Sequence, residues 1–208
     1  RDIARRYNIR KIEVLQKLAL YLIYNMGMGL NISRMAELVG SNRTTILELL
    51  AHLKEVYLIF TSSSFSFSPN ERMNTTRPKK VYCVDNGFFA AIKTKGSKDF
   101  AKKIKNAVYQ QLRFRWGAEI FYWKNKIEID FVLEDGFPIG IVVDKMDTDK
   151  EIYRLFYYMN QHNLNKGLLI SWNKLQIMEE NERKILILPL WLFLTKSQED
   201  VMNYYEAG

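Results

Sequence analysis

The residues of this chain best suited to chemistry are cations and small hydrogen-bonding side chains set close together. Asn42, Arg43, Thr44 and Thr45 follow one another, Arg34 lies upstream, and Arg72, Arg77, Lys79 and Lys80 gather downstream. Guanidinium and ammonium groups neutralise phosphates, while Arg, Asn and Thr side chains hydrogen-bond to base edges. The chemistry on offer is non-covalent capture of a polyanion. Residues 61–115 hold twelve Lys and Arg against three Asp and Glu, and residues 1–60 hold nine against five. Residues 116–208 reverse the balance, ten against fifteen, within a net charge of +8. Such a division suggests two modules with different electrostatics.

Other chemistries are poorly served. The single Cys83 excludes an internal disulfide and a cysteine cluster for zinc. His52 and His162 are the only histidines, and neither has a partner ligand in spacing. No GxxxxGK[ST], GxGxxG or GxSxG run occurs, so these residues encode no NTPase or Rossmann enzyme. No apolar run approaches the ~20 residues of a membrane span. The longest, Ile185–Leu194, is interrupted by Pro189. With no signal peptide either, a cytoplasmic protein without membrane contact is expected.

The elements that must position the cations follow from apolar spacing. Val14, Leu15, Leu18, Ala19, Leu22, Ile23 and Met26 predict a helix over about 11–26, ended by Gly27 and Gly29. Ile32, Met35, Ala36 and Leu38 predict a short helix capped by Asn31 and broken by Gly40. Ser41 or Asn42 then caps a third helix with an apolar face of Ile46, Leu49, Leu50 and Leu53. Strands over 57–60 and 81–84 bracket a basic loop at 72–80. This order is that of a helix-turn-helix with a wing, assigned to residues 1–95. In a DNA-binding version Asn42, Arg43, Thr44 and Thr45 face base edges, and Arg34, Arg72, Arg77, Lys79 and Lys80 meet phosphates. Leu47, Glu48 and Glu55 point outward on the same helix and suit a protein contact better.

Residues 96–208 read as a small mixed α/β domain. A basic helix over about 97–115 turns Phe100, Ile104, Ala107, Val108 and Leu112 inward. Strands over 119–123, 127–133 and 139–143 precede a helix over 150–162, and further strands lie at 168–170 and 185–188. Glu179, Glu180 and Glu182 read as a solvated loop. Tyr153, Phe156, Tyr157 and Tyr158 serve packing at helical spacing rather than base stacking. Exposed aromatics allow a homo-oligomer.

The order α-β-β-β-α-β is similar to the core of PD-(D/E)XK nucleases. The whole chain also resembles the region that follows the ATPase module in a prokaryotic family of AAA-type ATPases. The resemblance rests on Arg1-Asp2-Ile3, Arg6-Tyr7-Asn8-Ile9-Arg10, Leu58-Ile59-Phe60, Pro78-Lys79-Lys80-Val81-Tyr82, Asn106-Ala107-Val108, Tyr122-Trp123 and Glu128-Ile129-Asp130-Phe131-Val132. It implies an ATPase module N-terminal to Arg1, with ATP and Mg²⁺ as that module's cofactors and none in this piece. It also implies a nuclease-like site in which Asp130 takes the place of the first metal-binding acid. Lys105 stands where the family has a helix Glu, and Val142 and Asp144 where it has the second acid and the lysine. Asp130 and Asp144 are then the remnants of a degenerate centre, with no metal expected. A salt bridge from Lys105 to Asp130 would occupy the vacated place.

These readings lead to a non-catalytic DNA-binding module at the C-terminal end of an ATPase, with its own ATPase module and nucleic acid as partners. A regulatory module that docks on protein, and a weak metal-dependent nuclease, are the alternatives.

Overall fold

The computed structural model describes residues 2–73, 76–92, 97–143 and 147–206. In chain order the elements are α1 (Asp2–Arg6), α2 (Ile12–Tyr24), α3 (Ile32–Val39), α4 (Arg43–Glu55), β1 (Ile59–Ser64), α5 (Pro69–Arg72), β2 (Lys80–Cys83) and α6 (Asn86–Ala91). Then follow α7 (Ser97–Gln110), a π-helical turn (Gln111–Arg115), β3 (Ile120–Lys124), β4 (Glu128–Leu133), β5 (Pro138–Ile141) and α8 (Thr148–His162). The chain ends with β6 (Lys166–Ser171), β7 (Gln176–Glu180), β8 (Arg183–Pro189), α9 (Leu190–Phe193) and α10 (Gln198–Asn203). The protein is thus a mixed α/β structure, and it divides into two compact units: Arg1–Ser62 with Thr76–Asn106, and Ser63–Thr75 with Ala107–Gly208.

In the first unit, α2, α3 and α4 each bury one stripe. Leu15, Leu18, Leu22, Met35, Ala36, Ile46, Leu49 and Leu53 meet in a single core with Ile59 and Val81. Local chemistry sets the helix ends. The Asn31 side chain accepts the Arg34 N–H at 3.0 Å, and the Asn42 side chain accepts the Thr45 N–H at 2.9 Å. Each satisfies an N–H that the first helical turn leaves without a partner. Gly40 closes α3 in the left-handed region at φ 66, where a side chain would be strained. The first four residues of β1 pair antiparallel with β2, from Ile59 opposite Cys83 to Ser62 opposite Lys80. The stretch before α3 adds a further rung on β2. Gly29 bridges Lys80, Val81 N–H donates to Met28 O, and Leu30 N–H donates to Lys79 O at 2.7 Å.

Asn106 on α7 is fully buried in this unit. It accepts the Cys83 N–H at 2.8 Å and donates to Cys83 O at 3.0 Å and to Asn86 Oδ1 at 3.1 Å. One amide therefore does for β2 what a neighbouring strand would do.

In the second unit the last residues of β1 run parallel to β3, with Ser63 opposite Phe121 and Ser64 opposite Tyr122. β3, β4 and β5 form an antiparallel meander. β5, β6 and β8 are parallel, and β7 is antiparallel to β8 at the edge. Leu168–Ile170 and Ile185–Leu188 are continuous buried runs, as strands covered on both faces require. α8 packs Leu155, Phe156, Tyr158 and Met159 into a core with Ile129, Val132, Val142, Leu169 and Ile187. On β3, Phe121 and Trp123 are two residues apart, yet they face Val132 and Ile129 of β4, which are three apart. β4 therefore bulges at Asp130-Phe131.

Several sequence expectations change here. Glu179 and Glu180 lie in edge strand β7, not in a loop. An edge strand with a solvated face lacks the apolar alternation that marks a strand in sequence. Phe100 is exposed rather than turned inward. The strand expected at 57–60 begins at Ile59, because Tyr57 and Leu58 still close α4.

Candidate nucleic-acid interface

Arg34 and Arg43, both exposed, lie on α3 and at the first position of α4. The Arg43 guanidinium donates to Ser33 Oγ, so α3 holds this cation in place. Asn42 is occupied as the cap of α4, and Thr45 is half buried beside it. Thr44 is exposed. Of the four consecutive candidates, Arg43 and Thr44 thus face solvent with side chains not committed to capping. The outward stripe of α4 continues through Leu47, Glu48 and Ala51, at the spacing of one helix face.

Arg77 and Lys79 are exposed on the segment leading into β2. Lys80 is only 5% exposed and is paired opposite Ser62 in the strand, so it does not present a solvent-facing cation. Arg72 belongs to the second unit. There its guanidinium lies 4.8 Å from the centre of the Phe65 ring and 5.4 Å from that of Phe121, and it donates to the carbonyls of Ser66 and Glu134. This is an arginine tying a loop to a sheet. The sequence brought Arg72 together with Arg77, Lys79 and Lys80 because they are close along the chain. The structure keeps Arg77 and Lys79 as the solvent-facing pair of the first unit.

Charge separates the units more sharply than a cut at residue 95 does. The first unit contains eighteen Lys and Arg and seven Asp and Glu; the second contains thirteen and sixteen. Ser33, which anchors Arg43, was missed in the sequence. Nothing in the local pattern marks a serine ten residues away as its partner.

Two of the residues singled out by the nuclease resemblance, Asp130 and Val142, are buried. Asp130 is 8% exposed and sits in the β4 bulge, while Val142 is buried in the core against α8. Asp144 lies outside the described residues. Lys105 belongs to the first unit and Asp130 to the second. Among the described residues, no group of three or more His, Cys, Asp and Glu converges as a metal site would require. Cys83 is buried, and burial pushes its thiol pKa up, which keeps it protonated and inert. At the ends of β5 and β6 a cavity of about 480 Å³ is lined by Val142, Thr148, Asp149, Ser171, Trp172 and Lys174. No helix among the described residues is long and apolar enough to cross a membrane.

Comparisons with known proteins add likeness without activity. A family model described as "Domain of unknown function (DUF8612)" matches residues 1–99. An "Uncharacterized protein" of Haemophilus influenzae (strain ATCC 51907 / DSM 11121 / KW20 / Rd) is 23% identical over 198 residues, covering 92% of this chain and 48% of that protein. The chain therefore spans about half the length of the curated relative it matches. No solved structure matches it.

Proposed function

We propose that the first unit is a winged helix that binds duplex DNA, and that the second is a nuclease-like α/β domain without catalysis. The observation that carries this reading is the net excess of eleven positive charges in the unit whose α4 presents Arg43 and Thr44 outward. The winged-helix assignment draws support from the order α2, α3, α4, β1, β2 and from the rung between Gly29 and Lys80, the place of the short first strand. The nuclease-like assignment draws support from α7, β3, β4, β5, α8, β6 with two antiparallel pairings and then a parallel one. By resemblance the chain is the C-terminal part of a cytoplasmic ATPase. A relative about twice as long as the matched region leaves room for that module.

Arg34, Arg43, Arg77 and Lys79 make the phosphate contacts, and α4 enters the major groove from its N-terminal end. Fluorescence anisotropy on a random-sequence 20-base-pair duplex tests this. Arg43→Ala and Lys79→Ala should each weaken binding several-fold. Arg72→Ala should leave affinity unchanged and lower only the thermal stability of the second unit. Equal affinity for wild type, Arg43→Ala and Lys79→Ala would remove the proposed interface.

A further inference from the structure

Resting on that reading, we infer that the middle of α4 is a thymine-reading face: Leu47, with Thr44 and Ala51, contacts thymine methyl groups, and Glu48 accepts from a cytosine amino group. The outward stripe of α4 carries no cation between Arg43 and Lys54. Leu47 is 53% exposed at its centre, and Thr44, Glu48 and Ala51 are exposed around it. An acid and a leucine gain nothing from a phosphate backbone. Both have partners on the floor of the major groove, where thymine offers a methyl and cytosine an N4 amino donor.

Guanine offers only acceptors there, so a carboxylate at Glu48 selects against it. From Thr44 to Ala51 the helix rises about 10 Å, the length of about three base pairs. Charge complementarity commits the face to DNA over protein. The same unit holds eighteen cations against seven anions, and Arg34 and Arg43 stand at the end where the helix would enter the groove. Affinity then comes from the flanks and selectivity from the stripe.

The test uses the 208-residue chain and a random duplex pool carried through repeated selection. The expected product is a site of three adjacent positions enriched in thymine, with cytosine preferred and guanine excluded at one of them. The selected duplex is then remade with deoxyuridine in place of each thymine, which removes only the methyl. Each contacted methyl should cost about four-fold in affinity, the worth of one buried carbon. Leu47→Ala should narrow the preference for the thymine over the uracil duplex by about the four-fold worth of its own methyl contact, leaving the share that Thr44 and Ala51 supply, and Glu48→Gln should relax the exclusion of guanine. Arg43→Ala should weaken both duplexes alike and keep their ratio. Equal binding of thymine and uracil duplexes by the wild type, or an unchanged ratio in Leu47→Ala, overturns the inference and leaves DNA binding standing. No binding to any duplex overturns both, and assigns the Leu47–Glu48 face to a protein partner.

Discussion

At the scale of single residues, two buried polar groups have opposite fates. Asn106 satisfies its amide fully, and in doing so satisfies both backbone groups of Cys83. Replacing it with Leu keeps the volume and strands a buried N–H and C=O. At about 1–3 kcal/mol for each orphaned group, Asn106→Leu should cost about 3 kcal/mol of stability, read as a lower urea midpoint. His162 is the contrary case. Its Nε2 is buried without a hydrogen-bond partner, among the rings of Phe67, Trp123 and Tyr158. Burial lowers its pKa, so the folded protein favours the neutral ring. The unfolded chain takes up that proton near its ordinary value of about 6.5. Stability is therefore full above that pH and falls as pH drops below it. Thermal melts between pH 7.5 and 5 should show this decline, and His162→Phe should flatten it. A decline of the same size in His162→Phe would place the pH sensitivity elsewhere. Neither role was visible in sequence. Cys83 and Asn106 are distant along the chain, and the rings around His162 come from three separate segments.

At the scale of elements, what is local was legible and what is distant was not. Asn31, Gly40 and Asn42 end or start helices through bonds to residues three or four positions away, so their types announced them. Sequence assigns everything between the strands at 57–60 and 81–84 to the winged helix. Phe65 instead donates its N–H to Tyr122 O at 2.7 Å and joins the core of the second unit, a pairing no neighbouring residue reveals. The close approach of Phe67 to Gly136 belongs to the same fit, since a Cβ there would lie 2.7 Å from the ring. α4 ends in an arrangement usually built on glycine. Leu58 N–H donates to Leu53 O and Tyr57 N–H to Lys54 O, both at 3.0 Å, with Tyr57 at φ 59. A side chain in that region costs roughly 1–2 kcal/mol, part of which glycine gives back through unfolded-chain entropy. Tyr57→Gly should therefore raise stability by about 0.5–1 kcal/mol, seen as a higher urea midpoint at unchanged slope. A loss would show that contacts of this exposed ring outweigh the backbone strain.

At the scale of the whole molecule, the charge asymmetry was legible in composition, and the compact units sharpen it. The chain crosses between units at Ser62–Ser63, returns at Thr75–Thr76 and crosses again within α7, so its basic segments collect in one unit and its acidic excess in the other. The candidate site was legible in part. Arg34, Arg43, Arg77 and Lys79 stand on solvent-facing positions as their types suggest, whereas the burial of Lys80 and the anchoring of Arg72 depend on packing that no local pattern encodes. Asp130, the acid singled out by the nuclease resemblance, lies on β4, and among the described residues no group of three or more His, Cys, Asp and Glu gathers as a metal site would require. The central claim is that phosphates are neutralised by a few fixed cations of the first unit. Its most direct measurement is the affinity of the full chain for a 20-base-pair duplex across a salt series. Four phosphate contacts predict that log affinity falls against log salt with a slope of about −3.6, and that Arg43→Ala reduces it by about one. A slope shallower than about −1, or no binding at low salt, would contradict the account.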